Sequence, residues 1–370
     1  MNKKKKRKKK YSNNSSKKSR NKKTMQNNST NQKQKPDQKK VIHSFLDNME
    51  DGREFESILK YNPKVDLQKE IKRAINEIQT IRQKPLLCYL SNVVNNNIRA
   101  PKAIDINDDL PFSEMIGAVP DEKQEVDIML VTPGGSAEQV SKLVDRLRSK
   151  FNKVSFIIPN IAMSAGTIFA ASGDEIIMPP GGYIGPIDPQ IPDKNGYFRP
   201  AQAVLTAIED IQQRGENLLK EGKNPLWSDL QILNQIDPKE IGDALNASKY
   251  SSELVEEYLY KYKFKTWKTH SSNGSPVTDK EKKTRAKEIA NLLCNNSLWK
   301  THRRGINREI AWDVCKLKIL HPEDIEGLEK SIRRFWALLY WIFENSPLFK
   351  IIISENYSIF RHDPSSVNKK

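Results

Sequence analysis

Val126-Asp127-Ile128-Met129-Leu130-Val131-Thr132-Pro133-Gly134-Gly135-Ser136 is an apolar run stopped by Pro and paired Gly. A second unit of the same kind follows: Val154-Ser155-Phe156-Ile157-Ile158-Pro159-Asn160, then Ala162-Met163-Ser164-Ala165-Gly166-Thr167. Each run has the length of a buried strand, and each break opens a helical pattern. After the first break, Val140, Leu143, Val144 and Leu147 mark the inner face of a helix over 137–150. After the second, small residues with Ile168 and Phe169 predict a tight helix over 164–172.

Leu86 to Leu90 upstream and Glu175 to Met178 downstream add two more strand signals. Strand, helix, strand, helix, strand at this spacing predicts an α/β layer of parallel, buried strands. Beyond Pro200 the pattern changes to long helices over 201–220, 226–235, 239–263 and 279–295. The domain reading is therefore a basic tail at 1–40, a helical segment at 41–84, the α/β core at 85–200, a helical extension at 201–322, and a helix with tail at 323–370.

The net charge of +16 belongs to the tail. Residues 1–40 hold 17 Lys and Arg against Asp37, and the remaining 330 residues hold 45 basic and 45 acidic side chains. A segment this polar cannot bury enough surface to offset its ordering entropy, so disorder is expected there. It can tether nucleic acid or an anionic membrane non-specifically, or simply be solvated. The body has no basic excess to suggest a nucleic-acid face. Cys88, Cys294 and Cys315 are odd in number and widely spaced, which argues against disulfides or a zinc site and for a reducing, cytoplasmic home. Neither a signal-peptide pattern nor a run long enough to span a bilayer is visible. The aromatic stripe Trp336, Tyr340 and Trp341 reads as core or subunit interface, with a membrane-surface helix as the alternative. No cofactor or metal is expected.

Adjacent glycines at the mouth of a strand let backbone N–H groups approach a ligand, as an oxyanion hole for acyl transfer requires. A plain tight turn or a phosphate cradle fits the same residues. Ser164, flanked by small side chains, fits a nucleophile turn or a helix N-cap. Taken together the two loops gain weight. Ligand sites in α/β sheets lie beyond the carboxyl ends of strands, and both loops occupy such ends in consecutive units.

Four strings in order, Thr132 to Gly135, Ala162 to Thr167, Asp174-Glu175-Ile176-Ile177-Met178 and Gly185-Pro186-Ile187-Asp188-Pro189-Gln190, resemble the serine dehydrogenase proteinase family. That family is related to signal peptide peptidase A and to Clp protease subunits. The likeness runs from about Pro85 to about Ile319. It includes Trp299-Lys300-Thr301-His302-Arg303, where Arg303 stands in place of the family's Gly. The resemblance implies a Clp/crotonase-like layered parallel sheet followed by a helical region, and a serine peptidase acting on a peptide or protein. By position it makes Ser164 the nucleophile and puts Gly134, Gly135 and Ala165 at the oxyanion hole. Homo-oligomers are usual in that fold.

The general base stays open at this level. Asp188 stands about where a Clp-type His is expected, and the helix from Ala201 has no Lys before Lys220. Of the five histidines, His302 lies in a motif-like stretch and has the right ordinary pKa, with Asp188 to orient it. Lys249, in Ala247-Ser248-Lys249-Tyr250, is the alternative base if buried. No Walker A motif is present, so any ATP-driven unfolding must come from a partner. Two other functions compete: an inactive Clp-fold oligomeric scaffold whose tail binds nucleic acid or membrane, and a crotonase-type acyl-CoA enzyme using the same loops without a serine nucleophile.

Overall fold

The computed structural model describes residues 39–192, 198–270 and 273–364. Four apolar runs form parallel strands: β1 (Leu86–Ser91), β2 (Glu125–Val131), β3 (Lys153–Ile157) and β4 (Glu175–Ile177). Parallel neighbours need long crossovers. These are supplied by helices α2 (Asp109–Gly117), α3 (Ala137–Lys150) and α4 (Ala165–Ala171). A longer helix, α1 (Leu67–Arg82), precedes the sheet. Asp66 caps it, accepting from the Lys69 N–H. Helices α5 (Ala201–Lys220), α6 (Pro238–Tyr258), α7 (Asp279–Leu293) and α8 (Leu328–Asn345) follow.

The register explains the two-sided core. Cys88, Met129, Ile157 and Ile177 stand in one row across β1 to β4. They pack against Ile71, Ile75 and Ile78 of α1 and Phe335, Leu339 and Ile342 of α8. Leu87, Ile128, Phe156 and Ile176 form the neighbouring row. Side chains alternate faces along a strand, so this row points the other way, onto α3, α4, α6 and α7. Each fully buried Leu, Ile or Phe stabilises the fold by roughly 1.5–3 kcal/mol. Both faces of the sheet are therefore committed to packing, and only the strand ends are left for chemistry.

The expected α/β order, the helix over 137–150 and the helical region after 200 are all present. Two sequence readings need correction. The segment 41–84 is not purely helical: Lys40–Ile42 pairs in parallel with Tyr61–Pro63. More consequentially, residues expected as a tail after the last helix form strands β5 (Leu348–Ile353) and β6 (Ser358–His362). Strand β5 runs antiparallel to β1 and puts Ile353 beside Cys88, so the sheet order is β6-β5-β1-β2-β3-β4. The physical reason is β1's otherwise unpaired edge, which needs hydrogen-bond partners. The aromatic stripe of α8 packs inward: Trp341 meets Phe45 at 4.9 Å and Tyr340 meets Phe55 at 5.0 Å between ring centroids. No described helix is long and apolar enough to cross a membrane. The expected disorder of residues 1–40 falls almost wholly outside the described residues.

Candidate active site

The two glycine- and serine-bearing loops are laced together beyond the ends of β2 and β3. Thr132 N–H donates to the Ile161 carbonyl at 2.9 Å, and Met163 N–H donates to the Thr132 carbonyl at 3.1 Å. The Thr167 hydroxyl adds a second tie. It donates to the carbonyl of Ala162 or of Gly185 and accepts from Gly185 N–H at 2.9 Å. Small residues are required where these segments meet. A Cβ on Gly166 would lie 2.4 Å from the Thr132 methyl, and one on Gly185 would lie 2.5 Å from Met163 Cε.

The paired glycines face two different neighbours. Gly134 has φ +111°, and a Cβ there would sit 3.0 Å from Ser164 Cβ. Gly135 has φ +149°, and a Cβ there would sit 2.3 Å from the Ile104 carbonyl oxygen. Ile104 N–H donates to Gly134 O at 2.7 Å and Ser136 N–H donates to Ile104 O at 3.0 Å. These two bonds face Ile104, so the Gly135 N–H between them points away from it. Gly134, grouped with the oxyanion residues from sequence, instead donates its N–H to the Thr132 hydroxyl at 3.2 Å.

Ser164 adopts φ 52° and ψ −116°, a region that costs a non-glycine residue about 1–3 kcal/mol. It precedes the first turn of α4 but makes no side-chain capping bond. The N-cap reading of this serine is therefore set aside: its hydroxyl is free for other work. Among the described residues, the N–H groups of Gly135 and Ala165 have no protein acceptor. Both residues border a cavity of about 510 Å³ with Ser164 on its wall. Ala247, Tyr250 and Ser251 of α6 also line it, one helical face at i, i+3 and i+4.

Lys249 lies off that face. Its side chain is 75% exposed and lies 3.8 Å from Glu253. The condition set for it as a base, burial, is therefore not met.

Asp188 and His302 lie near enough to influence each other electrostatically, but neither lines the serine cavity. Ile187, Pro189 and Gln190, around Asp188, do. Asp188 is buried. Its Oδ1 accepts from Gln202 N–H at the start of α5 at 3.2 Å, and its Oδ2 has no partner among the described residues. His302 is half-buried with Nδ1 unpartnered. Burial pushes the Asp188 carboxyl up, against the Gln202 N–H and the pull of His302. Burial pushes the His302 imidazole down, against the opposing charge of Asp188. Two buried, unsatisfied atoms on electrostatically coupled partners are costly unless they serve a purpose. Cys294 belongs to the same cluster, and burial raises its thiol to about 12. Among the described residues no group of three or more His, Cys, Asp and Glu could hold a metal ion.

A strained serine and two amide donors without an acceptor among the described residues thus stand at the carboxyl ends of parallel strands. Residues 58–219 match the ClpP-like SDH-type serine proteinase family. The SDH-type match contains both loops and Asp188, and it stops before His302. Two uncharacterized proteins of Methanocaldococcus jannaschii are similar to this chain. One is 30% identical over 201 residues, covering 54% of this chain and 63% of its own length. The other is 29% identical over 162 residues, covering 42% and 51%. The chain thus spans less than two thirds of either relative. Two solved structures of a 1510-N membrane-bound stomatin-specific protease are also similar, one of them in complex with a substrate peptide. They are 27% and 28% identical, cover 30% and 31% of this chain and 57% and 55% of those chains, and superpose with a TM-score of 0.24 in each case.

One support of the site lies far away in sequence. Lys350, in the middle of β5, is fully buried with Asp108, their charged groups 2.8 Å apart. Its Nζ also donates to Ala103 O at 2.8 Å. The Tyr89 hydroxyl at 2.7 Å and Arg361 at 3.0 Å complete the shell around Asp108. Ala103 leads directly into Ile104, which holds the glycine pair. An isolated Lys in an apolar run gives no sign of such a role. Only its partner, 242 residues earlier, reveals it.

Proposed function

We propose that this chain is a serine peptidase that hydrolyses peptide bonds through an acyl-enzyme on Ser164, without ATP of its own. The observation that carries the reading is Ser164 itself: strained, uncapped, and set between the unpartnered N–H groups of Gly135 and Ala165. In the proposed reaction Ser164 Oγ attacks the scissile carbonyl carbon and its proton passes to the His302 imidazole. The oxyanion accepts from the two N–H groups. The leaving amine takes the proton from His302, and a water, deprotonated by the same base, releases the acid. Asp188 orients His302 and balances its charge. A peptide or protein is the substrate, and the working form is a homo-oligomer by analogy with the fold.

A second reading has one observation in its favour. Neither His302 nor Asp188 borders the serine cavity, as expected of an inactive scaffold with the same fold. Its basic N-terminal residues would then contact nucleic acid or an anionic membrane. Fluorophosphonate labelling of the full chain beside Ser164→Ala and His302→Ala separates the two. The peptidase reading expects labelling of wild type, none of Ser164→Ala, and much slower labelling of His302→Ala. Normal labelling of His302→Ala puts the base elsewhere. A wild type that never labels favours the scaffold.

A further inference from the structure

At the opposite end of β4 from the serine, a second cavity of about 570 Å³ opens between the end of α6 and the segment after Trp312. Its walls carry Phe264, Trp267, Trp312, Lys263, Lys316 and Lys318. Lys316, in a left-handed turn at φ 55° that closes the helix before it, and Lys318 are both exposed, while Cys315, Leu317 and Ile319 between and beside them are buried. Lys263 ends a π-helical turn, Leu259–Lys263, that continues α6. Such turns often present a side chain at a working site.

The charges around this cavity do not balance internally. Asp174 and Glu175 also border it, but both are already engaged. Asp174 pairs with Arg148 at 2.8 Å, and Glu175 pairs with Lys153 at 2.8 Å and Arg82 at 3.3 Å. Among the described residues, Lys263, Lys316 and Lys318 have no carboxylate within ion-pair distance. Lys316 and Lys318 are exposed, but Lys263 is partly withdrawn from water; an ammonium group so placed without a partner is unfavourable, and an incoming anion would relieve it. Aromatic surface surrounds these cations. Trp267 lies tilted beside Phe264 at 5.4 Å, Lys316 Nζ lies 5.7 Å from the Trp312 ring, and Trp312 is 51% exposed with no ring partner among the described residues.

We propose that this cavity binds a small phosphorylated compound with a planar ring, a nucleotide in class. Three ammonium groups suit the several oxygens of a phosphate better than a single carboxylate. The open indole of Trp312, with Trp267 and Phe264 beside it, offers flat apolar surface to a base. The volume falls within the range of small-molecule sites. Burial pushes Lys263 down to about 8, against the pull of Glu175, as expected of a cation lacking its counter-ion. The site lies away from Ser164 and does not depend on the peptidase reading.

Calorimetric titration of the full chain with AMP, UMP, adenosine and inorganic phosphate tests the proposal. At least one nucleoside monophosphate is expected to bind about tenfold tighter than phosphate, with adenosine weaker still. Lys263→Met and the exposed Trp312→Ala are each expected to weaken it by about fivefold or more while leaving fluorophosphonate labelling unchanged. If phosphate binds as well as AMP and UMP, the site takes inorganic anions and the ring-recognition claim fails. If nucleotide binding is unmoved by both variants, it belongs to the basic N-terminal residues and the proposal is overturned. Absence of any binding overturns it as well.

Discussion

Ser164 and Gly135 divide the work of the candidate site between a nucleophile and a donor, and each depends on backbone geometry that most residues resist. A methyl group on Gly135 would press into the Ile104 backbone at 2.3 Å. The loop must then swing, carrying its free N–H away from the oxyanion position. Gly135→Ala is therefore expected to lower kcat/KM on a peptide ester by roughly 100-fold or more, the usual cost of one oxyanion donor. A loss below about threefold would remove Gly135 from that role. His302 supplies a pH signature. Burial holds its imidazole below 6.5, so the proton that blocks general-base action binds only at lower pH. The acid limb of kcat/KM is expected to have its midpoint below 6.5. Asp188→Asn, which removes the charge that opposes burial, should move that limb further down. A limb that moves upward contradicts the pairing. At this scale the sequence was most informative where chemistry is local. The strand, Gly-Gly and Ser loops could be read from adjacent residues. That Gly134 spends its N–H on Thr132, or that Lys249 points into water, depends on rotations of one or two residues along the chain, and composition does not report these.

Among the elements, the hairpin of β5 and β6 is the least expected and the most consequential. The buried Lys350–Asp108 pair ties it to the loop that carries Ala103 and Ile104. Removing one partner of a buried pair leaves an uncompensated charge, so Lys350→Met is expected to cost about 3 kcal/mol in urea unfolding. Arg361 and the Tyr89 hydroxyl still shield Asp108 and keep the cost toward the lower end. The variant should also label more slowly with fluorophosphonate under conditions where it remains folded, because Ile104 loses its backing. An unchanged labelling rate would confine Lys350 to stability alone. Periodicity predicts helices well where caps and apolar spacing agree, as in the helix over 137–150. It could not find β5, whose justification is an edge of β1 hundreds of residues away. A Lys in the middle of an apolar run also breaks the pattern of a buried strand.

For the whole molecule, the described residues from Lys40 onward form one compact unit, and the basic excess of the chain sits in residues 1–40. The fold class and the alternation of strands and helices in the serine-bearing half could be read because α/β crossovers join neighbours in sequence. The closing of the sheet by the chain's last strands could not. A chain ended after Asn345 loses β5 and β6 and exposes the edge of β1. It is expected to aggregate on size-exclusion chromatography and to lack fluorophosphonate labelling. A monodisperse, reactive truncation would show that the hairpin is dispensable.

Synthesis gives that topology a time dimension. The Asn92 side chain, next to β1, donates to the carbonyls of Phe343 and Leu348, across 251 and 256 residues of chain. A ribosome adding roughly 5–20 residues per second needs about ten to fifty seconds to cross that interval. Until then the emerging polypeptide has both loops but neither β5, which pairs with the other edge of β1, nor the lysine that braces Ala103. The order in which the chain leaves the ribosome therefore holds back the bracing of the serine site until β5 has emerged.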